Sequence, residues 1–499
     1  MSWRLFDITA KRAELAPGAI AFEDARSGET LSYGALETRA AQAAAWLVKR
    51  GVKPGDRVGV LCRNRTELFE LLFACGKTGA ILVPLNWRMT AAELTGMIAD
   101  CAPALILSGD KDAGAAKAAA GGCPIVPLDV FNAERLTLDP LANRAEWPAD
   151  EAWFLIYTSG TTGAPKGVIN TYGMALANFV NIGQALALSA ADSTFNHLPL
   201  FHSAGINLVA LPLLMSGGRV LIARDFEAAE TLSLLGAGRI SVMFSVPTVY
   251  RALCEAPEFA ETGFSAVRSW ACGGAPLSER VVMRFAERGA LIRHGFGMSE
   301  SGPTTLLMDE ANVLAKPGAA GRPQLLSRAR VVDEAGHDLP DGDTGEIWLT
   351  GPGVTPGYWG QPEETAKIFS ADGWLKTGDL GRRDADGDFH IVGRIKEMII
   401  SGGANVFPAE IEAVLNRHPD VADAAVIGAA DEVWGEAGHA FIQPRPDRAP
   451  GRGELEAFCR DQLAGYKIPK TFTFVDTFPR TASGKIQKSR LTAPAAETV

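Results

Sequence analysis

The chain has 499 residues, 47% hydrophobic and 21% charged, so it is long enough for more than one globular domain. Its formal net charge of −10 argues against non-specific nucleic-acid binding, which needs a basic surface. The seven cysteines form no C-x-x-C pair and the seven histidines no H-E-x-x-H spacing, so neither a disulfide framework nor a zinc motif is indicated. We expect free thiols in a reducing compartment.

The sequence gives no sign of a targeting or membrane-spanning segment. Residues 1–18 carry charges where a signal peptide needs an apolar core. The most apolar stretch, residues 204–223, is interrupted by Pro212, Gly217 and Gly218. It predicts a helix followed by a strand, because a membrane span needs about 20 unbroken apolar residues. We therefore expect a cytoplasmic protein without integral membrane association.

Helical and strand patterns alternate through the first two-thirds of the chain. Residues 35–51 carry apolar side chains at helical spacing and end at Gly51, a typical residue after a helix. The pattern then predicts a strand at 57–62, a helix at 66–80, and strands at 80–85, 153–157, 192–200, 218–223 and 240–246. Short apolar strands interleaved with helices predict doubly wound sheets of mainly parallel strands, more than one in a chain of this length.

The pattern changes after about residue 320. Short alternating strands at 328–333, 345–350 and 388–393 predict a small antiparallel or barrel-like region. An amphipathic helix at 408–418, a strand at 422–430 and a helix at 453–465 then predict a compact α+β unit. The predicted fold class is α/β, with a large N-terminal domain over residues 1–394 and a small C-terminal domain over residues 395–499.

The stretch 157-YTSGTTGAPKGV-168 predicts a phosphate-binding loop between a strand and the helix at 172–183. It is not a Walker A motif, because its hydroxyl side chains precede Lys166 instead of following it. Three glycines, four Ser or Thr hydroxyls and one lysine can direct several N–H and O–H donors at phosphate oxygens. So many donors in one loop favour this function over an ordinary surface turn.

Four further stretches contain polar residues that a single motif does not distinguish from ordinary turns. Glu300 in 294-HGFGMSES-301 suits a hard cation such as Mg²⁺, which takes few protein oxygens. Asp379 in 373-GWLKTGDLG-381 and Arg394 in 392-VGRIKEMIISGGANVFP-408 could both bind a ribose diol. Lys485 lies in a loop of small residues, 480-RTASGKIQK-488. Taken singly, the Glu300, Asp379 and Lys485 motifs are better explained by a solvated side chain or a closed turn.

Together these five stretches resemble the acyl-adenylate-forming superfamily of acyl-CoA synthetases, adenylation domains and firefly-type luciferases. The order and spacing match over roughly residues 30–490. The sequence looks most like bacterial fatty-acid or aryl-acid CoA ligases, on the segments 199-PLFHSAG-205, 272-CGGAPL-277, 357-GYWGQPEET-365 and 401-SGGANVFPAEIE-412. It departs from the usual pattern at Phe296, where tyrosine is common, and at Ser299, where threonine is common. Both changes keep the stacking ring or the hydroxyl.

The resemblance implies a nucleotide site assembled from these stretches. The first loop would hold the ATP phosphates with Thr158, Ser159, Gly160, Thr161, Thr162, Gly163 and Lys166. The adenine and the acyl carboxylate would be bounded by Gly274, Ala275, Pro276, Phe296, Gly297 and Met298. Ser299 and Lys485 would contact the α-phosphate, and Asp379 and Arg394 would bind the ribose. Glu300 and Thr158 would hold Mg²⁺, and Lys485, Glu300 and Lys166 would be catalytic.

The resemblance also implies an acyl pocket and a moving domain. The pocket would be lined by His202, Asn207, Ser245, Gly273, Gly274, Gly297 and Met298. The C-terminal domain would turn about a hinge near Lys396. It would present Lys485 in one step and the CoA-binding turn Ser401, Gly402 and Gly403 in the next.

The implied function is that of an ATP-dependent acid:CoA ligase that forms AMP. The acid would attack the α-phosphate of ATP with loss of pyrophosphate, and the thiol of CoA would then displace AMP. ATP, Mg²⁺, CoA and a small carboxylic acid are the implied ligands. The low charge of the implied pocket suits an apolar acid, and fatty, phenylpropanoid and benzoate-like acids all stay open.

Three other functions are alternatives to a CoA ligase. A stand-alone adenylation enzyme would load a carrier protein, but no carrier domain follows Lys485 and residues 401–408 look like those of CoA ligases. A luciferase-type oxidoreductase would need a luciferin. A nucleotide-binding regulator without turnover would be expected to lack Lys485 or Glu300, and both are present. A homodimer is compatible with the sequence.

Overall fold

Strands and helices alternate along the chain as the hydrophobic pattern predicts. The computed structural model describes residues 4–141, 146–159, 165–431, 433–481 and 484–493. Its strands are β1 (Arg4–Phe6), β2 (Ile20–Asp24), β3 (Thr30–Ser32), β4 (Arg57–Leu61), β5 (Ile81–Pro84), β6 (Leu105–Ser108), β7 (Ile125–Pro127), β8 (Glu146–Pro148), β9 (Ala152–Ser159), β10 (Pro165–Thr171), β11 (Ser193–Asn196), β12 (Arg219–Ile222), β13 (Val242–Ser245), β14 (Ser269–Cys272), β15 (Ile292–Met298), β16 (Gly302–Leu307), β17 (Arg322–Pro323), β18 (Arg328–Val332), β19 (Gly345–Thr350), β20 (Leu375–Arg383), β21 (Phe389–Arg394), β22 (Ile399–Ser401), β23 (Ala404–Val406), β24 (Val421–Asp431), β25 (Gly435–Pro444) and β26 (Thr471–Phe474).

The helices connect these strands. They are α1 (Ile8–Leu15), α2 (Tyr33–Lys49), α3 (Thr66–Thr78), α4 (Ala91–Cys101), α5 (Ala113–Ala119), α6 (Leu128–Arg135), α7 (Tyr172–Ala185), α8 (Ala210–Ser216), α9 (Ala228–Gly236), α10 (Pro247–Glu255), α11 (Glu279–Ala286), α12 (Pro362–Lys367), α13 (Pro408–Leu415) and α14 (Arg452–Arg460). A π-helical turn, Ala204–Leu208, directly precedes α8. Among the described residues, no helix combines the length and the apolar character needed to cross a bilayer.

Local sequence sets the ends of several helices. The Ser32 hydroxyl accepts a hydrogen bond from the Ala35 N–H and caps α2. Thr90 and Glu93 form a capping box at the start of α4, each side chain bonding the other's backbone N–H. Helix α3 ends at Gly79, whose φ of 76° is left-handed and favours glycine.

Two large sheets form the N-terminal domain, as predicted. In the described part of the chain, one sheet has the strand order β10-β9-β5-β4-β6-β7 and the other β17-β16-β15-β14-β13-β11-β12-β2-β3. Their central strands are parallel, and the antiparallel strands lie at the edges. The largest buried core includes side chains from both sheets and from α2, α3, α7 and α8, so the helices between the sheets are buried.

Two smaller sheets follow. Strands β18-β19-β20-β21 form an antiparallel sheet, which confirms the predicted small antiparallel region after about residue 320. Strands β22 to β26 form a separate sheet, and α13 packs against both β24 and α14. This last unit has its own buried core, which includes Ile411, Val426 and Leu455, and is the α+β domain that the sequence predicts.

One predicted loop is much shorter than expected. The sequence favours a loop from 157 to 168, but β9 extends through Ser159 and β10 begins at Pro165. The two strands are antiparallel, with Gly167 opposite Tyr157. A Cβ on Gly167 would lie 3.0–3.3 Å from atoms of the Tyr157 ring, so the glycine leaves room for a cross-strand aromatic contact. Gly167 therefore belongs to the sheet and not to the loop.

The helix-to-strand contact at Gly76 gives a stability prediction. A Cβ on Gly76 would lie 2.7 Å from the fully buried indole of Trp147. We expect Gly76→Ala to lower the melting temperature, because overpacking costs about 1–3 kcal/mol and exceeds the gain of about 0.5–1 kcal/mol from helix propensity. The matched control is Gly114→Ala in α5, where an added Cβ meets nothing within 4 Å. Equal melting temperatures for the two variants would contradict the prediction.

Candidate active site

Lys166 is held by two residues from a distant segment. It lies on β10 directly opposite Thr158 on β9, so both predicted phosphate ligands are placed by the strand pairing. Its Nζ lies 2.6 Å from Oε2 of Glu364 on α12 and 5.1 Å from the centre of the Tyr358 ring. Hydrogen bonds from Lys166 and Lys367 lower the pKa of Glu364 to about 2. Lys166 is thus fixed beside the first loop by an ion pair and an aromatic face.

Glu300 is a buried carboxylate joined to the same segment. Only 7% of the residue is exposed, and its Oε1 accepts a hydrogen bond of 2.9 Å from the Tyr358 hydroxyl. Burial raises the pKa of Glu300, while the hydrogen bond from Tyr358 and the charge of Arg394 act in the opposite direction. Among the described residues, no lysine or arginine forms an ion pair with it. Tyr358 therefore links the two predicted groups, Lys166 and Glu300.

Asp379 and Arg394 form a pair across two neighbouring strands. They are directly opposite on β20 and β21, with Arg394 Nε 3.0 Å from Asp379 Oδ1. Asp379 is 4% exposed, and its Oδ2 has no hydrogen-bond partner among the described residues. Burial raises the pKa of Asp379, and the charges of Arg394 and Lys485 oppose that rise. A free acceptor of this kind suits a hydroxyl group of a ligand, as predicted for a ribose.

Lys485, in the C-terminal domain, is near enough to Asp379 and Arg394 for their charges to act on its pKa. The residue is exposed to solvent, and its backbone N–H donates to the Thr481 hydroxyl at 3.0 Å. Surrounding protein lowers the pKa of Lys485 by desolvation and the charge of Arg394 lowers it further, whereas Asp379 and Glu397 raise it. The charge of Lys485 also acts on His202. Lys485 is therefore close to both the Asp379–Arg394 pair and the predicted acyl pocket.

The loop that carries Lys485 is seated on α10 of the N-terminal domain. Gly484 has a left-handed φ of 83°, and a Cβ there would lie 2.5 Å from the Thr248 hydroxyl oxygen. Asp423 Oδ2 lies 3.0 Å from Arg251 Nη1 of α10 and 2.5 Å from Arg480 Nη2 of its own domain. We name Arg251, Asp423 and Arg480 the latch, because these residues join the two domains next to Lys485.

The predicted acyl residues lie on neighbouring segments beside Ser299. His202 is half-buried, and desolvation together with the charges of Arg88 and Lys485 lowers its pKa to about 4. Ser203 Oγ lies 3.4 Å from Ser299 Oγ. The Ser245 carbonyl accepts a hydrogen bond from the Gly273 N–H at 3.2 Å. Asn207 is buried in the π-helical turn that follows Ser203.

The predicted nucleotide-bounding residues lie at the ends of β14 and β15. Gly274 has a left-handed φ of 87°, and the carbonyl of Ala275 accepts a hydrogen bond from His294 Nε2 at 3.0 Å. Gly274 and Pro276 are exposed. Phe296 and Met298 pack against the core of the neighbouring antiparallel sheet, and the register shifts between them at Gly297. A Cβ on Gly297 would lie 2.6 Å from the Pro303 carbonyl oxygen, so this hairpin requires glycine.

The predicted CoA-binding turn contacts other parts of the C-terminal domain. Ser401 pairs with Gly435 on β25, and Gly402 packs against the Trp434 ring. A Cβ on Gly403 would meet nothing within 4 Å. Lys396, the predicted hinge residue, is exposed in a 3₁₀ turn between β21 and β22.

Four predicted phosphate ligands lie outside the described residues: Gly160, Thr161, Thr162 and Gly163.

A cavity with cationic walls opens beside the latch. Its volume is about 340 Å³, and its walls include Arg88, Arg224, Arg251 and Arg480. Arg251 and Arg480 are also latch residues, so the cavity lies between the two domains. The guanidinium of Arg88 lies 4.8 Å from the centre of the Trp87 ring. Four arginines around one cavity favour an anionic ligand.

Sequence reasoning missed several of these residues. Tyr358 and Glu364 connect Lys166 to Glu300. The sequence points to their segment, 357-GYWGQPEET-365, only as part of the family resemblance. The Tyr, Glu and Thr side chains of that segment were the sequence feature from which a role at the site could have been predicted. Nothing in the sequence around Arg251 or Asp423 distinguishes them from exposed charges, so Arg480 is the one latch residue in a segment that the sequence singles out.

Comparison with known proteins identifies the family. A family model described as AMP-binding enzyme matches residues 9–359, and one described as AMP-binding enzyme C-terminal domain matches residues 410–485. Feruloyl-CoA synthase from Amycolatopsis sp is 39% identical over 485 residues, covering 96% of this chain and 97% of the relative. The fatty acid–[acyl-carrier-protein] ligase ScoC from Streptomyces coeruleorubidus is 35% identical over 484 residues, covering 93% and 91%.

A solved structure also matches the whole chain. ATP-bound MatB from Rhodopseudomonas palustris superposes with a TM-score of 0.90 at 30% sequence identity, covering 97% of this chain and 98% of that one. The apo structure of the same protein gives a TM-score of 0.81 over the same shares. This chain is therefore more similar in shape to the ATP-bound form than to the apo form.

The latch predicts how the domain orientation responds to the loss of one charge. Arg251→Gln removes the N-terminal partner of Asp423 but leaves the Asp423–Arg480 pair. We expect a larger radius of gyration in small-angle X-ray scattering, since an ion pair of this exposure contributes about 1 kcal/mol and its loss shifts the population of the seated orientation several-fold. The matched control is Arg26→Gln, which removes an exposed pair with Glu230 inside the N-terminal domain. Identical scattering from both variants and the parent would refute the role of the latch.

Proposed function

The chain belongs to the AMP-binding enzyme family, and on that premise we propose that it is an ATP-dependent acid:CoA ligase that forms AMP and pyrophosphate. The observation that carries the proposal is the position of Lys485. Gly484, next to Lys485 in the C-terminal domain, is seated against Thr248 of the N-terminal domain, and the charges of Lys485, Asp379 and Arg394 act on one another. The charges of Asp379 and Arg394 also act on the buried Glu300. Two domains thus contribute charges to one site, as a reaction between two anionic substrates requires.

The nucleotide is held by polar groups that include an atom without a hydrogen-bond partner in the described residues. The unpartnered Oδ2 of Asp379 accepts a ribose hydroxyl, and Arg394 keeps the other oxygen of that carboxylate in place. The ring of Phe296 stacks on the adenine. Lys166 and Thr158, paired across β9 and β10, contact the phosphates that depart as pyrophosphate. Glu364 holds Lys166 ready for that contact.

The site also fits Mg²⁺. Glu300 is a buried carboxylate without an ion-pair partner among the described residues, and such a group favours a cation. Glu300 and Thr158 would hold the ion, with the remaining ligands supplied by phosphate and water. When bound, Mg²⁺ supplies positive charge that neutralises the phosphates. Tyr358 orients Glu300 through its hydroxyl.

The first step joins the acid to AMP. A carboxylate oxygen of the acid attacks the α-phosphorus, and the bond from that phosphorus to the pyrophosphate oxygen breaks. The ammonium of Lys485 lies between the two anions and reduces their repulsion as the bond forms. Asp379 and Glu397 favour the protonated form of Lys485. His202, with a pKa of about 4, is neutral near pH 7 and adds no positive charge to that of Lys485.

The second step transfers the acyl group to CoA. The thiolate attacks the acyl carbonyl, and the bond to the AMP oxygen breaks. Lys485 has to leave before the pantetheine arm can approach, so the C-terminal domain turns about Lys396 and presents the turn Ser401, Gly402 and Gly403 instead. The openness of that turn at Gly403 supports this role. The four arginines of the cationic cavity suit the phosphates of CoA.

A carrier-protein ligase is the second candidate. The similarity to ScoC favours it, because that relative is named for a carrier protein. The cationic cavity favours free CoA, whose nucleotide adds phosphates that a carrier-bound pantetheine lacks.

All seven cysteines are free thiols, which supports a reducing cytoplasm as the location.

The product assay tests the proposal directly. With ATP, Mg²⁺, CoA and a panel of fatty, benzoate-like and phenylpropanoid acids, we expect AMP and pyrophosphate in equal amounts and an acyl-CoA from at least one acid. A parallel arm replaces CoA with a holo-carrier protein, and the thiol with the higher kcat/KM is the natural acceptor. Formation of ADP and phosphate would refute the adenylate mechanism.

A substitution at Lys485 should affect the first half-reaction and not the second. We expect Lys485→Ala to slow adenylate formation by about 10²–10³-fold, the usual loss when one charge-stabilising group is removed. Thioester formation from supplied acyl-adenylate should stay within a few-fold of the parent, because Lys485 is displaced during that step. The control is Arg460→Ala, an exposed cation on α14. An equal loss in both half-reactions would show that Lys485 acts structurally.

A further inference from the structure

The carboxylate of Asp100 joins three elements around the predicted phosphate loop. Asp100 lies near the end of α4, and its Oδ2 accepts a hydrogen bond of 2.5 Å from the Tyr157 hydroxyl of β9. Its Oδ1 accepts a second hydrogen bond, of 3.1 Å, from Gln361 Nε2. Gln361 directly precedes α12, the helix that carries Glu364. One half-buried side chain therefore connects α4, β9 and the start of α12.

The same contacts reach the strand on the other side of the loop. Gln361 Nε2 also lies 3.4 Å from the carbonyl oxygen of Pro165, the first residue of β10. A Cβ on Gly96, which shares a face of α4 with Asp100, would lie 3.8 Å from Cγ of the Pro165 ring. This face of α4 thus contacts both strands next to the loop, β9 through Tyr157 and β10 through Pro165.

These contacts close a ring around two predicted phosphate ligands. Thr158 and Lys166 lie directly opposite each other, and each comes one position after a residue of the strand contacts just described. Lys166 Nζ lies 2.6 Å from Oε2 of Glu364, on the helix that begins after Gln361. The ring closes at Asp100, because this carboxylate holds β9 and the start of α12 at the same time.

Asp100 is unfavourably placed for the stability of its own helix. It lies in the last turn of α4, where the backbone carbonyls give the helix end a partial negative charge that repels a carboxylate. No basic residue of α4 lies in that turn to offset the repulsion. A carboxylate at this position therefore stabilises the surroundings of the loop and not the helix that carries it.

We propose that Asp100 is a positioning residue for ATP, which holds β9, β10 and α12 in the arrangement in which Thr158 and Lys166 contact the nucleotide phosphates. The inference rests on the proposed function and adds to it a residue outside the predicted ligand contacts. Without this carboxylate the three elements would sample other arrangements. ATP would then have to select the competent one, which lowers its apparent affinity.

Asp100→Asn tests this role with little change in side-chain size. The amide keeps an acceptor for the Tyr157 hydroxyl but turns an N–H group toward the one on Gln361. We expect the KM for ATP in pyrophosphate release to rise about 5- to 20-fold, and the Kd for Mg²⁺-ATP from calorimetry without acid to rise by a similar factor. The KM for an acid that the product panel identifies should stay within about twofold, because Asp100 acts on the phosphate ligands alone.

Tyr157→Phe is a second variant that breaks the same hydrogen bond from the other side. It removes the hydroxyl and keeps the ring against Gly167. We expect the KM for ATP to rise about 3- to 10-fold. In the double variant with Asp100→Asn, the combined effect should be clearly smaller than the product of the two single effects, since both remove one shared interaction. Fully multiplicative effects would contradict the shared role.

Asp110→Asn is the matched control. It removes an exposed carboxylate in the turn after β6, a strand of the same sheet, and should keep the parental KM for ATP. A merely structural role for Asp100 would give a different pattern. It would lower the amount of active protein, and therefore the apparent kcat, while both KM values stayed parental.

Two results would overturn the inference. One is a parental KM for ATP in both Asp100→Asn and Tyr157→Phe. The other is an equal rise in the KM for ATP and for the acid, which would assign Asp100 to the integrity of the whole site. If Asp100→Asn does not fold, Tyr157→Phe alone decides. Each of these results keeps the proposed function while the parent forms AMP, whereas a parent that forms no AMP with any acid overturns the proposed function, and calorimetry with Mg²⁺-ATP still tests Asp100.

Discussion

The seating of the Lys485 loop on the N-terminal domain is the interaction on which the proposed chemistry depends. An acid and a nucleotide phosphate are both anions, and the barrier to their meeting is largely electrostatic. In this fold one cation comes from a domain with its own hydrophobic core, and it reaches the site only when that domain docks. The latch at Asp423 and the close contact of Gly484 with Thr248 define that docked position.

The fixed half of the site is organised by Tyr358. Its ring lies against Lys166 and its hydroxyl bonds Glu300, so one residue positions both the predicted phosphate-binding lysine and the predicted magnesium ligand. Burial raises the pKa of Glu300 because the described residues supply it with no direct cation. The predicted site thus leaves the Glu300 carboxylate available for a cation that the substrates bring.

Much of this arrangement could be predicted from the sequence, and the failures have a common cause. Strands such as β4 and β5 and helices such as α2 are specified by local hydrophobic periodicity, so their positions were predicted within a few residues. The residues proposed for the ATP site come from five motifs whose order resembles a known superfamily. Strand β10 was missed because its pairing depends on a cross-strand aromatic contact with Gly167. Tyr358 and the latch were missed because their partners lie 58 and 172 residues away in the chain.

The latch and the cationic cavity share two of their arginines, and this has a physical consequence. Arg251 and Arg480 both hold the carboxylate of Asp423 and both line the cavity between the domains. An anion that enters the cavity meets the same guanidinium groups and competes with Asp423 for them. Phosphates of CoA in that position would weaken the contact that keeps Lys485 docked. Binding of the second substrate and withdrawal of the first catalytic lysine would then be coupled through one set of charges.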